Sequence, residues 1–185
     1  MGEKAKKWLV VCVQSNREKK TYERLMALGF EAFLPLQEEL RRWSDRCKKV
    51  QRVVVPMVVF ARLAPAEYIQ VLRLPSVNRF MVLRGESTPA IIPDSQMERF
   101  RFMLDYSEQA VEMCLERIQP GEQVKVIKGP LTGLAGELFT MDGKSKVAVR
   151  INMLGAAMVE VPKIIPMKQL GSAYATIFYI QNIGL

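Results

Sequence analysis

Two groups of cations carry the most pointed chemistry in this chain. Arg17, Lys19, Lys20 and Arg24 fall on a stretch whose spacing predicts one helix, and Arg41, Arg42, Lys48 and Lys49 crowd a second stretch around Trp43. Cations grouped like this neutralise phosphates, and an aromatic ring among them stacks on a base. The same pattern also describes a solvated helix face and a solvated loop, and the residues alone leave both readings open. The charge is uneven: net +6 over residues 1–60, −1 over 61–118 and +3 over 119–185, for a total of +8. A basic end fits a polyanion such as nucleic acid, and fits a solubility bias equally.

Other chemistry is thin. The chain has no histidine, so no histidine-based triad and no histidine-bearing metal site is expected. Cys12, Cys47 and Cys114 stand far apart and form no C-x-x-C pair, which argues against zinc. Cys12 and Cys114 lie among apolar neighbours and read as reduced core residues, whereas Cys47 sits in a charged run. Neither a G-x-x-x-x-G-K-[ST] loop nor a G-x-G-x-x-G turn occurs, and no carboxylates fall in a patterned pair. The expectation is a protein that is no enzyme and takes no cofactor, metal or small-molecule substrate. About half of the 185 residues are apolar, but no run approaches the length of a membrane span. The charged first residues lack a signal region, so a cytoplasmic protein with no membrane partner is expected.

The elements that must position these cations follow from hydrophobic pattern and punctuation. Residues 8–13 form an apolar, β-branched run and predict a buried strand. Ser15 and Glu18 have the spacing of a capping box for a helix running to about Leu28, with Tyr22, Leu25, Met26 and Leu28 on its apolar side and Gly29 as its stop. A strand over 31–34 ends at Pro35. Residues 38–52 are charge-rich and aperiodic, which predicts a mobile hairpin or loop. A strand over 53–62 is interrupted by Pro56, a mark of a bulge or an edge. A short helix over 65–74, strands over 77–83 and 90–92, and a helix opening on a second capping box, Ser95 with Glu98, complete an order β-α-β-β-α-β-(β)-α. That order predicts an α+β sandwich, one antiparallel sheet flanked by helices, over residues 1–105. Residues 106–118 read as a linker.

Beyond Pro120 the rhythm changes to short strands between glycine turns: 124–127, 136–141, 146–151, 157–161 and 164–167, with Asp142-Gly143 as a hairpin signal. Five short strands over 119–170 predict a small β-barrel. The tail, 171–185, is apolar and aromatic. It reads as an extra element packed on a domain, or as a docking strand for a partner.

The barrel segment resembles the KOW domain of NusG-type transcription factors. Pro120-Gly121-Glu122-Gln123-Val124-Lys125-Val126 matches the family's P-G-x-x-V-x-V opening, followed by Gly129-Pro130-Leu131 and by Gly136. Gly129 would turn the chain, and Gly136 would let two backbones approach closely. Met153-Leu154-Gly155-Ala156 stands where the family carries I-F-G-R and so loses a cation. The N-terminal part is similar to the NGN domain through Lys7-Trp8-Leu9-Val10-Val11, the helix over 15–28, Val55-Pro56-Met57-Val58-Val59-Phe60, and Arg79-Phe80 leading to a Gly85…Pro93 stretch. That last stretch is similar to one in specialised UpxY-type antiterminator paralogues.

The resemblance implies a ferredoxin-like NGN sandwich followed by an SH3-like KOW barrel, in a transcription elongation or antitermination factor that acts on selected operons. It implies an apolar site for the clamp of the largest RNA polymerase subunit at Val58, Phe60 and Phe80, with Trp8 nearby, although Trp8 also reads as core. It assigns Arg17, Lys19, Lys20 and Arg24, and with them the cations of the 38–52 excursion, to non-template DNA or nascent RNA. The barrel loops Leu131-Thr132-Gly133 and Met153–Ala156 would meet a small-subunit ribosomal protein or a termination factor. The alternative is a ribosome-associated RNA-binding KOW protein, which shares the barrel but has no use for a polymerase-docking sandwich.

Overall fold

The computed structural model describes residues 5–42, 47–114, 121–141, 143–161 and 164–166. The first part comprises β1 (Lys7–Val13), α1 (Glu18–Ala27), β2 (Glu31–Phe33), β3 (Leu36–Arg42), β4 (Cys47–Val53), β5 (Val58–Leu63), α2 (Tyr68–Leu72), β6 (Val77–Phe80), β7 (Ile91–Ile92) and α3 (Asp94–Tyr106). The second comprises β8 (Glu112–Cys114), β9 (Glu122–Val126), β10 (Ala135–Met141), β11 (Lys144–Ile151), β12 (Gly155–Glu160) and β13 (Ile164–Pro166). The chain is a mixed α+β protein whose sheets are antiparallel.

The apolar run of β1 makes it the centre of the first sheet, ordered β2-β5-β1-β6, with β7 pairing the other half of the same β1 edge. Both of its faces are buried. Leu9, Val11 and Val13 pack under Leu25 of α1 and Val71 of α2. Trp8 and Val10 face α3 and join a core that continues into the second sheet through Val124, Val147 and Ile151. A strand covered on both sides needs no polar alternation, which is why its sequence is continuously apolar.

Both predicted capping boxes are corrected. The cap of α1 is Arg17, without a side-chain hydrogen bond, and Glu18 instead accepts the backbone N–H of Met57 at 2.9 Å. The cap of α3 is Pro93, which puts Ser95 inside the helix. Met26 and Leu28, expected on the apolar side of α1, are exposed, and Thr21 is buried instead with its hydroxyl on Ser76, 2.7 Å away. The excursion over 38–52 is a hairpin, with β3 and β4 paired from Leu36↔Val53 to Arg42↔Cys47.

The five strands expected beyond residue 120 are all present. They form an open six-stranded sheet, β13-β9-β10-β11-β12-β8, and among the described residues no sheet closes into a barrel. The sixth strand comes from the segment read as a linker: β8 pairs with β12 and forms an edge of the sheet.

Within this sheet Glu137 is bonded to Arg150 at 2.7 and 2.9 Å and accepts the N–H of Gly121 at 2.9 Å. The Arg150 hydrogen bonds hold its carboxyl below the usual value, against burial, which raises it. A depressed folded value means this stability is complete above the unfolded carboxylate value, about 4.3, and is lost as pH falls through the folded one. Acid titration of the second sheet's stability is therefore expected to show a steeper fall below about pH 4 in the wild type than in Glu137→Gln, measured by denaturant midpoint at each pH. Equal slopes would remove Glu137 from the acid response.

Candidate functional site

The apolar residues assigned to polymerase docking do not stand on the surface. Trp8, Val58, Phe60 and Phe80 are all at most 5% exposed, which corrects the expectation of an exposed patch built from them. Phe60 lies within 6.0 Å of both Phe33 and Phe100, and Phe80 stacks on Tyr68 at 5.2 Å. The Arg101 guanidinium covers Trp8 at 4.5 Å from the ring centre. The physical reason is that both faces of the sheet are covered: α3 and the second sheet close the side of Trp8, Val58 and Phe60, while Phe80 packs in the core of the other face with Val71 and Tyr68 of α2.

An apolar surface does exist beside them. A groove of about 890 Å³ runs between the two sheets. Val54, Val55, Pro56, Met57, Val58 and Met81 line one wall, while Met113, Met153 and Leu154 line the other. Arg52, Arg79 and Glu112 supply its charge. Cys12 also lines it, half-buried, and burial pushes its thiol pKa up while Arg79 beside it pulls the other way. Met57 and Met153, which both line the groove, adopt the left-handed conformation with φ of 61° and 73°. An unbranched side chain held there costs about 1 kcal/mol or more, and such residues gather at functional sites. Four methionines give the groove a soft, adaptable lining. Of the residues that the sequence singled out, Val58, Met153 and Leu154 line this groove, the last two having been assigned to a different partner.

The basic residues divide. Arg17, Lys20 and Arg24 line a cleft of about 550 Å³ with Gln14, Pro75 and Ser76. The Thr21–Ser76 bond fixes α1 against that turn, and Gln14 adds a bond to the Pro75 carbonyl at 3.1 Å. Lys19 lies outside the cleft and donates to Gln51 of β4 at 3.3 Å, which joins the helix to the hairpin. On the hairpin Lys49 is exposed and 3.5 Å from Glu38. The side chains of Arg41, Arg42, Trp43 and Lys48 lie outside the described residues, as does the tail.

The loops assigned to the second domain's partner face the first part of the chain. Thr132 and Gly133 line a cleft with Glu98, Arg99 and Phe102 of α3, and Leu131 is buried. Met153 and Leu154 belong to the groove, while Ala156 is buried and Gly155 half-buried. Gln96 and Asn152 exchange two hydrogen bonds of 3.0 and 2.9 Å across the junction. Among the described residues no group of three or more side chains suited to a metal comes together, and no helix is long and apolar enough to cross a membrane.

Against known proteins, the family model described as "Transcription termination factor nusG" matches residues 6–101, just over half of the chain. A solved structure described as "Domain interaction in Thermotoga maritima NusG" is similar at 24% identity and TM-score 0.46, covering 86% of this chain and 95% of that one. The MjSpt4:Spt5 complex is similar at 13% identity and TM-score 0.30, covering 86% and 98%. No curated protein matches. The match extends from the first strand into α3 and takes in both the groove wall at 54–58 and the basic helix, so the chain belongs to the NusG family of transcription factors.

Proposed function

We propose that this chain is an elongation and antitermination factor of the UpxY type, acting in the cytoplasm and without catalysis or cofactor. Residues 1–105 are its NGN domain, 106–118 the connection and 119–170 a KOW domain of SH3-like ancestry. The groove beside Val58 receives the clamp of the largest RNA polymerase subunit, and holding the clamp closed suppresses pausing or termination. The cleft of Arg17, Lys20 and Arg24, with Lys19 and the basic hairpin beside it, contacts non-template DNA or nascent RNA through phosphates. Such contacts set affinity and register, while sequence choice needs base contacts. The KOW loops recruit a small-subunit ribosomal protein or a termination factor.

The observation that carries this reading is an apolar groove whose lining includes two methionines, Met57 and Met153, held at positive φ. Backbone strain that folding does not need points to a use for the side chains. Glycine adopts a positive φ freely. Met57→Gly/Met153→Gly is therefore expected to keep its melting temperature, the relieved strain offsetting the small loss of burial. Its affinity for core RNA polymerase is expected to fall at least about tenfold through lost apolar contact. Binding isotherms beside thermal melts decide it. An unchanged affinity would remove the groove from docking, and no wild-type binding at micromolar concentration would sink the polymerase reading.

A further inference from the structure

The apolar groove gathers most of the thioethers that the fold leaves open. The chain has 11 methionines, of which Met1 and Met167 lie outside the described residues. Met97, Met103 and Met158 are core residues, at most 3% exposed. Met26 and Met141 are exposed and stand away from the groove. The remaining four, Met57, Met81, Met113 and Met153, all line it, and none of them is buried.

Their backbones are held in place. The N–H of Met57 donates to the Glu18 carboxylate at 2.9 Å, and its carbonyl accepts the N–H of Val13 at 2.9 Å. Met81 donates to the carbonyl of Val10 and accepts the N–H of Ala90, both at 2.9 Å. Met113 stands opposite Ala157 in the ladder of β8 and β12. Met153 sits at a φ of 73° in the turn between β11 and β12. No shift of the main chain can withdraw these side chains when their chemistry changes. A hydroperoxide changes it. The thioether sulfur attacks one peroxide oxygen, the S–O bond forms and the O–O bond breaks. With hydrogen peroxide the departing hydroxide takes the proton left on the new S–OH group and becomes water. Sulfur is oxidised by two electrons and the peroxide is reduced. The sulfoxide is a polar acceptor, and an apolar partner that covers it leaves that acceptor desolvated and unpaired.

We propose that the groove is an oxidation site: a hydroperoxide converts Met57, Met81, Met113 and Met153 to sulfoxides, which closes the groove to an apolar partner until a sulfoxide reductase restores them. The closing half of this inference rests on the polymerase-docking reading; the modification site does not. Met26 and Met141 separate the two halves, because they are open to the same oxidant and line no part of the groove.

The test treats the intact chain with hydrogen peroxide and maps the sulfoxides by peptide mass spectrometry, with a thermal melt to check the fold. The four groove methionines are expected to oxidise at least about tenfold faster than Met97, Met103 and Met158. Groove methionines that oxidise no faster than those three overturn the site. Affinity for core RNA polymerase is then expected to fall at least about tenfold. A thiol reductant alone is expected to leave that loss in place, and methionine sulfoxide reductases to reverse it, which assigns it to methionine and not to Cys12. Met26→Leu/Met141→Leu is expected to lose affinity on oxidation as the wild type does. Met57→Leu/Met81→Leu/Met113→Leu/Met153→Leu, compared with its own untreated form, is expected to lose none. An oxidised groove that binds as tightly as before overturns the closing half. A wild type that never binds, treated or untreated, overturns the docking reading and the closing half with it, while the peptide map decides the site by itself.

Discussion

Phe60→Ala is expected to lose about 3–5 kcal/mol of folding stability, a fall in melting temperature of roughly 10 °C for a chain of this length. Phe60 is fully buried and sits at the meeting of three layers. Its strand pairs it with Val10 on one side and Phe33 on the other. Its ring meets Phe100 of α3 edge-on and lies tilted over Phe33. Removing it deletes aromatic contacts on both sides and leaves a cavity that β1, β5 and α3, each fixed by other contacts, cannot fill. Calorimetry or a circular dichroism melt reads the result directly. A drop below about 2 °C would correspond to less than about 1 kcal/mol and would contradict a close-packed Phe60. The consequence for function is practical. Loss of polymerase binding in a Phe60→Ala protein would report a damaged fold, and Phe80→Ala, beneath Tyr68, carries the same ambiguity. Substitutions at Met57, 47% exposed, avoid it.

The reason those two rings were assigned to a surface is physical. Motif resemblance places a residue along the chain but not on a face. Where one face of a strand is wet, alternation supplies the face. In β1 and β5 both faces are covered, so the pattern around Phe60 is apolar throughout and gives no direction, while Phe80 ends the four-residue β6, too short for alternation to show a face. The strands beyond residue 120 were legible for the opposite reason: each is short, and Gly129 and Gly143, with φ of 94° and 73°, mark its turns. Capping failed where a distant group competed. Glu18 answers to Met57, 39 residues away, and Asp94, which opens α3, pairs with Arg62 at 3.2 Å. The basic cleft was half legible, since α1 supplies three cations from one helix while Pro75 and Ser76 arrive from another part of the chain. The groove was nearly invisible. Its methionines are contributed by residues 57, 81, 113 and 153, and a positive φ at methionine leaves no mark in sequence. Strand β8 was missed because it is only three residues long and its partner, β12, lies far along the chain.

Gly136→Ala is expected to cost about 3 kcal/mol, the upper end for overpacking. A Cβ at this position would lie 2.6 Å from the Ala148 carbonyl oxygen and 2.7 Å from Cγ1 of Val147. A side chain can rotate away from such an overlap, but the carbonyl belongs to β11, where Ala148 stands opposite Glu137 and is itself buried. Relief therefore requires β10 and β11 to separate. That separation strains the Glu137–Arg150 bonds, which span the same two strands. Gly143→Ala provides the contrast. Its φ is 73° and nothing lies within 4 Å, so the cost is that of the left-handed backbone alone, about 1–2 kcal/mol. The two substitutions add the same methyl group, but at Gly136 it meets another backbone, whereas at Gly143, between β10 and β11, it meets open space and only the left-handed φ resists it. Denaturant midpoints at constant slope are expected to place Gly136→Ala well below Gly143→Ala, with faster amide exchange in β10 and β11 for the former. A Gly136→Ala protein no weaker than Gly143→Ala would mean that β10 and β11 do not approach as closely as described.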